Sequence, residues 1–381
     1  MKVVKRRSCC ICGGSDLQEK LRLGKFPIYI GTIVGDPSDD LFFDQIWAEC
    51  GDCGCLQLLE LPPANLVYQS NHNFDVVGNV WKFHHDSFAN FIAKKKYNKI
   101  IEIGASHGYL ANRLIDRLGK VEYTIVEPNS NLNSSRIKVI TGYIEEYYSE
   151  ISKKDCIIHS HVLEHMYNPV EFVDNISRYA EIGADIFVSI PNFKGFIDSG
   201  ALNSLNFEHT FLLDPKHAEL MFENAGFLIL NSKNYLNHSF FYHLKKSHNA
   251  LNAKREFSNI SLQSSNFLDL ISNLRKFVEL TNIIIDDLSV KEERKIYLFG
   301  ANIFSQGLVT LGINQSKITG ILDNSPNKQN QRLYGTNLIV QSPSIIAEHK
   351  NVYVVLKASH YQNEIRDQLK YLNKNVVIIE N

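Results

Sequence analysis

The chain has 381 residues, 44% of them hydrophobic and 21% charged, enough apolar material for two or three folded domains. Forty Lys and Arg against 41 Asp and Glu leave a formal charge of -1, which removes the basic footprint of most nucleic-acid binders and membrane-surface proteins. Small molecules or proteins are the expected partners, with no nucleic acid and no membrane. The basic opening MKVVKRRSCCICGG leads into cysteines and glycines instead of an apolar signal core, and no stretch holds eighteen uninterrupted apolar residues, so the expected location is cytoplasmic.

Six of the seven cysteines fall within the first 55 residues. Cys9 and Cys12 form one C-x-x-C pair and Cys50 and Cys53 another, each followed by a glycine, Gly13 or Gly54. Such a turn points two thiolates at one tetrahedral ion, and two turns complete a closed four-thiolate shell. A closed shell leaves no open position, so a structural Zn2+ is expected on Cys9, Cys12, Cys50 and Cys53. Cys10 and Cys55 are spare thiols able to substitute in that set. The insert between the knuckles, with FPIYIG at 26–31 and LFFDQIW at 41–47, is expected to form a small zinc-binding lobe over 1–68.

From Tyr97 the sequence YNKIIEIGASHGYLANRL predicts a short strand, a glycine loop and an amphipathic helix. The loop spacing from Glu102 through Gly104 and Ala105 to Gly108 departs from the G-x-G-x-x-G of dinucleotide enzymes. A second strand, YTIVEPNSN, ends in Glu127 and Pro128, where an acid is placed to accept both hydroxyls of a ribose. Further strands are expected at 136–144, 156–166 and 185–193, alternating with helical stretches. This rhythm predicts an α/β fold with a parallel sheet wound on both faces.

The stretch HSHVLEHM carries His161, Glu164 and His165 in the H-x-x-E-H spacing of an inverted zinc-protease helix. Here the preceding CIIHS reads as a strand, and Pro169 sits where a helix begins. The motif is therefore expected in a strand-to-helix turn, not as a catalytic zinc site. His161 becomes a cofactor-pocket candidate at the carboxyl edge of the sheet, and His159 and His165 are expected to pack or cap.

Residues 236–290 read as polar and then helical, with Phe267, Leu270, Ile271, Leu274, Phe277 and Val278 on one face, predicting a connector. From 291 to 381 a second nucleotide-fold pattern follows: KIYLFGANIFSQG with Gly300, a strand ending in Asp323, then NVYVVLKAS and NVVIIEN.

With these motifs in order, the block from about 97 to 235 resembles a class I S-adenosylmethionine-dependent methyltransferase, on EIGASHG, IVEPN, HVLEHMYNPVEF, SIPNF and EHTFLL...AGF. A methyltransferase domain over 69–235 is thus expected. His107 stands where many relatives carry an acid. Together with the cysteine lobe and the C-terminal domain, almost the whole chain resembles the sugar C-methyltransferases, which act on nucleotide-linked deoxy-keto-sugars. The C-terminal match runs through Phe299, Gly300, Ala301, Asp323, Asn327, Lys328, Gln329 and Gly335.

The resemblance implies an S-adenosyl-L-methionine cofactor on Glu102, Gly104, Ala105, Gly108, Glu127, Pro128 and His161. It implies a nucleotide-sugar substrate on Tyr68, Asn206, Gly300, Asn302, Asp323 and Lys328, between the core and the C-terminal domain. Asn206, Phe207, Glu208 and His209 stand where the family has Y-H-E-H, making His209 the expected base that forms an enolate, with Glu208 holding its tautomer or a sugar hydroxyl. Two further readings are an O- or N-methyltransferase acting on a surface-polysaccharide sugar precursor, and a non-catalytic zinc-containing assembly protein.

Overall fold

The computed structural model describes residues 3–68, 79–130, 132–247, 256–257, 263–289 and 294–380. At its centre five parallel strands lie side by side as Ile137–Thr141, Glu122–Glu127, Lys99–Ile103, Cys156–Ser160 and Asp185–Pro191. Lys99–Ile103 and Asp185–Pro191 are buried almost throughout, because helices cover both faces of such a sheet. Strand order reverses on either side of Lys99–Ile103. That reversal opens a crevice at the carboxyl ends of the strands, the place where open α/β sheets bind ligands.

The sheet is not parallel throughout, as the sequence rhythm predicted. Ser239–Lys246 runs antiparallel against Asp185–Pro191, and Phe227–Tyr235 pairs antiparallel outside it. The core therefore continues to Lys246, and the segment expected as a connector from 236 opens with a core strand. Its turn is only Leu236 to His238, too short to interrupt the apolar pattern with a recognisable break.

The helix Tyr109–Leu118 starts from Gly108 in a left-handed conformation, φ +66°. Asn79–Ile92 packs along it, with Asp86 accepting from Arg113 and with Phe88, Ile92, Leu110 and Leu114 in one apolar cluster. The helix after the H-x-x-E-H turn runs Pro169–Tyr179 with proline in its first turn, as the sequence predicts.

The N-terminal lobe is an antiparallel sheet of Leu17–Pro27, Phe42–Cys50 and Leu56–Leu58. Its fourth strand comes from the core: Phe211–Leu212 pairs with Leu56–Leu58. Trp47, fully buried, packs its ring 5.2 Å from Phe267 of the long helix Gln263–Ser289. Thus the lobe is built around the core.

The C-terminal unit has five parallel strands in the order Val340–Gln341, Gly320–Leu322, Lys295–Phe299, Val352–Val355, Val377–Ile379. A further strand, Arg332–Leu333, pairs antiparallel with Thr32–Ile33 of the lobe. Among the described residues no helix is long and apolar enough to cross a membrane.

Candidate active site and metal centre

The four paired cysteines meet as the spacing predicts. Cys9, Cys12, Cys50 and Cys53 each offer a sulfur within 4.8 Å of the others. The Sγ atoms of Cys9 and Cys53 are 3.5 Å apart, as are those of Cys12 and Cys50. Backbone amides of Ile11 and Gly14 point at the sulfurs of Cys9 and Cys12, at 3.4 Å each, which favours thiolate over thiol. Four converging sulfurs with amide donors behind them fit a tetrahedral zinc ion. Cys55 is also buried, and Cys10 is partly so.

At the carboxyl edge of the core sheet the glycine loop follows Lys99–Ile103. Gly104 has φ +72°, and a Cβ there would lie 2.4 Å from Val162, so only glycine lets the loop close on the next motif. Glu127, at the tip of the second strand, accepts from the amide of Ser106 at 3.0 Å and from that of Asn129 at 3.1 Å. Each carboxylate oxygen has a second lone pair. The residue thus fixes the loop and still fits a ribose diol. Glu102 lies differently: only 2% exposed, it accepts from Tyr123 Oη at 2.7 Å and is a buried brace beneath the loop. Burial pushes its carboxyl up to about 7. Ala105 is buried beside it, and Pro128 is partly exposed.

The H-x-x-E-H turn divides between two clusters. His161, with φ +54°, turns toward His84, His238 and Trp81. Glu164 and His165 turn toward His209, and one donor atom of each of the three lies within 4.8 Å of the others. His165 was expected only to pack or cap. Instead its Nδ1 lies 2.7 Å from Tyr68 Oη, and its ring centroid is 5.1 Å from that of His209. Glu164 is fully buried, 3.3 Å from His161 Nδ1 and 3.8 Å from His165 Nε2, and burial raises its carboxyl to about 7.

Asn206 positions His209. Its Oδ1 accepts from the His209 amide at 2.7 Å, and its Nδ2 lies 3.2 Å from His209 Nδ1. Glu208 is near enough to help burial hold the Tyr68 phenol protonated. Tyr68, Asn206, Glu208 and His209 are therefore brought together, with Glu164 and His165 added. The sequence did carry one signal for the additions: of its three Glu-His pairs, at 164–165, 208–209 and 348–349, the first two meet here.

The C-terminal candidates gather separately. Asp323 accepts from Ala301 and Ser325 amides at 2.8 and 2.9 Å, and Lys328 Nζ lies 3.1 Å from the Ala301 carbonyl. Gly300 has φ +98°, and Asn302 caps the helix Ile303–Thr310 through the Phe304 amide. This repeats the core: an acid at the second strand's tip clamps the loop after the first. Between core and C-terminal unit lies a cavity of about 320 Å³ lined by Ile197, Asp198, Asn273, Leu274 and Lys357 among others, apart from these candidates.

A family profile described as a methyltransferase domain matches residues 83–232, and one described as a C-methyltransferase C-terminal domain matches 255–379. This chain is a methyltransferase. No curated protein matches it. Among solved structures, the methyltransferase is similar to a chain of the complex between the Haloferax volcanii Trm112 methyltransferase activator and a methyltransferase, at 9% identity over 44% of this chain and 91% of that one, TM-score 0.39. It is also similar to the plantazolicin methyltransferase BpumL bound to a monoazolic desmethylPZN analog and SAH, at 15% identity over 44% and 85%, TM-score 0.37. A third is the mitomycin 7-O-methyltransferase MmcR, at 14% identity over 43% and 54%, TM-score 0.36.

Proposed function

We propose that this methyltransferase uses S-adenosylmethionine and methylates a carbon next to a ketone on a nucleotide-linked deoxysugar. The observation that carries this reading is the convergence of Tyr68, Glu164, His165, Asn206 and His209 at the carboxyl edge of the core sheet, in a chain with a matched C-methyltransferase C-terminal domain. The Glu127 clamp supports the cofactor, since it combines an ordered glycine loop with spare acceptor capacity.

When bound, S-adenosylmethionine supplies an electrophilic methyl group on a sulfonium. The protein's work is to remove the α-proton, stabilise the enolate oxygen and align the carbon. In the first reading His209 accepts that proton on a ring nitrogen while the C–H electron pair becomes the enolate. One contact favours a second role for the same ring. Because Asn206 Oδ1 is held by a backbone N–H, its Nδ2 faces His209 Nδ1 as a donor, which leaves the neutral ring's proton on Nε2. So oriented, His209 donates to the enolate oxygen while the α-proton passes to the neighbouring Glu164 carboxylate, and it becomes a base itself only after leaving Asn206.

The test supplies a nucleotide-linked keto-deoxysugar, labelled S-adenosylmethionine and deuterated solvent. Label transfer with loss of the α-proton supports C-methylation; transfer with that proton retained sinks it in favour of O- or N-methylation. His209→Ala is expected to lower turnover about 10²–10⁴-fold. A base role predicts that proton exchange disappears with it, whereas a donor role predicts exchange that is slowed but persists. Unimpaired exchange and turnover would remove His209 from the chemistry.

A further inference from the structure

Two buried histidines, His84 and His238, do no work in the scheme above, and His161, the cofactor-pocket candidate, joins them. They come from separate parts of the core: His84 from the helix Asn79–Ile92, His161 from the end of the fourth strand, and His238 from the turn before the last strand. Each offers one ring nitrogen, and the three nitrogens lie within 4.8 Å of one another. Trp81 closes over the group, its ring 5.2, 4.8 and 4.7 Å from theirs.

The rings are oriented from behind. His84 Nε2 lies 3.0 Å from Ser189 Oγ, and His161 Nδ1 lies 3.3 Å from Glu164 Oε1. Ser239 Oγ is 2.6 Å from His238 Nδ1 and 2.9 Å from His161 Nε2, and an ion on His161 Nε2 would take the place of that second contact. A buried carboxylate behind an imidazole is the outer-shell arrangement that fixes the tautomer of metal-bound histidines. Three polar atoms of the group are left over: His84 Nδ1 and both carboxylate oxygens of Glu164 are buried, with no hydrogen-bond partner among the described residues. A buried ring nitrogen without a partner is costly, and a cation is one ligand that satisfies it.

We propose that His84, His161 and His238 form a second metal site, separate from the four cysteines, for a divalent first-row transition ion such as Zn2+ or Co2+. Imidazole nitrogens suit these ions, and three protein ligands leave a position open for an exchangeable oxygen. Metal–nitrogen bonds of about 2.0–2.1 Å are reached by small rotations of rings already this close. The H-x-x-E-H stretch then contributes one ligand, His161, and one outer-shell carboxylate, Glu164. The inference is independent of which atom the enzyme methylates.

The experiment uses the full chain with its cysteine site loaded with one equivalent of Zn2+ and titrates Co2+. One further equivalent is expected, with visible d–d absorption and an X-ray absorption shell of nitrogen and oxygen that includes imidazole. His84→Gln keeps an amide for Ser189 while removing Nδ1. This variant and His238→Gln are each expected to weaken Co2+ binding at least about tenfold with the cysteine zinc retained, and Glu164→Gln by about 10–100-fold. No second equivalent, sulfur in its shell, or unchanged affinity in both histidine variants overturns the proposal. Where a variant fails to fold by circular dichroism, the shell composition of the unaltered protein decides.

Discussion

Glu102 accepts a hydrogen bond from Tyr123 under the glycine loop, and its carboxyl is pushed from 4.5 to about 7 by burial. The folded state therefore binds more protons than the unfolded state between those pH values, and this residue's stabilising share falls as pH rises through the window. Glu102→Gln keeps an acceptor for Tyr123 and removes the charge. Its stability relative to the unaltered protein is expected to be nearly unchanged at pH 4.5 and below and higher by on the order of 3 kcal/mol well above pH 7, from about 1.4 kcal/mol per pH unit. Urea unfolding of cofactor-free protein across that range measures it, and a difference that does not vary with pH would refute the account. The sequence placed Glu102 in its motif, yet whether the side chain faced ligand or core depended on Tyr123. The same holds for His165, which the chain alone assigns to a turn and Tyr68 assigns to a cluster.

Elements show the coupling of the zinc lobe to the candidate site. Phe211–Leu212 begins two residues after His209 and pairs with Leu56–Leu58, while the Leu58 amide donates to the Thr210 carbonyl at 3.0 Å. Behind it, His217 Nε2 is 2.9 Å from the Cys53 carbonyl. Structural zinc in small domains contributes roughly 10–16 kcal/mol at neutral pH, so an ion held by the four cysteines would hold the lobe's sheet together. Chelation, or Cys50→Ser with Cys53→Ser, is expected to raise hydrogen exchange at 56–58 and 211–212 and to lower turnover. Amides of Lys99–Ile103 should stay protected as the internal control. Retained protection at Phe211 and Leu212 after zinc loss would uncouple lobe from site. Both cysteine knuckles were legible because their spacing is local. That the lobe's sheet borrows a strand some 150 positions away was not, because a two-residue strand has too little pattern to be read.

For the whole molecule the decisive joint is Arg332, in the C-terminal unit, against Asp40, in the lobe. Their side chains are 6% and 1% exposed, with Arg332 Nη2 2.7 Å from Asp40 Oδ1 and Nε 2.7 Å from the Gly35 carbonyl. Nearby, Gln306 Nε2 donates to the carbonyls of Tyr29 and Tyr334 at 2.9 and 3.0 Å. Taking one member from a buried ion pair leaves the other charged in a poor solvent. Arg332→Met alone is expected to cost about 3–5 kcal/mol, and Arg332→Met with Asp40→Leu to recover most of that. Denaturant midpoints measure both; a single-variant loss below about 1 kcal/mol would mean that water screens the pair.

The sequence by itself determined the paired cysteine knuckles, the two strand–loop–helix units with their acids at Glu127 and Asp323, and the methyltransferase class, since each rests on residues close together along the chain. Only the tertiary structure decided which strands run antiparallel, that Phe211–Leu212 completes the lobe, and how HSHVLEHM divides. His161 joins His84 and His238, while Glu164 and His165 join Tyr68 and His209. The physical reason is that a backbone pattern reports the period of its own element, whereas a side chain's partners are set by which elements the core packs against it.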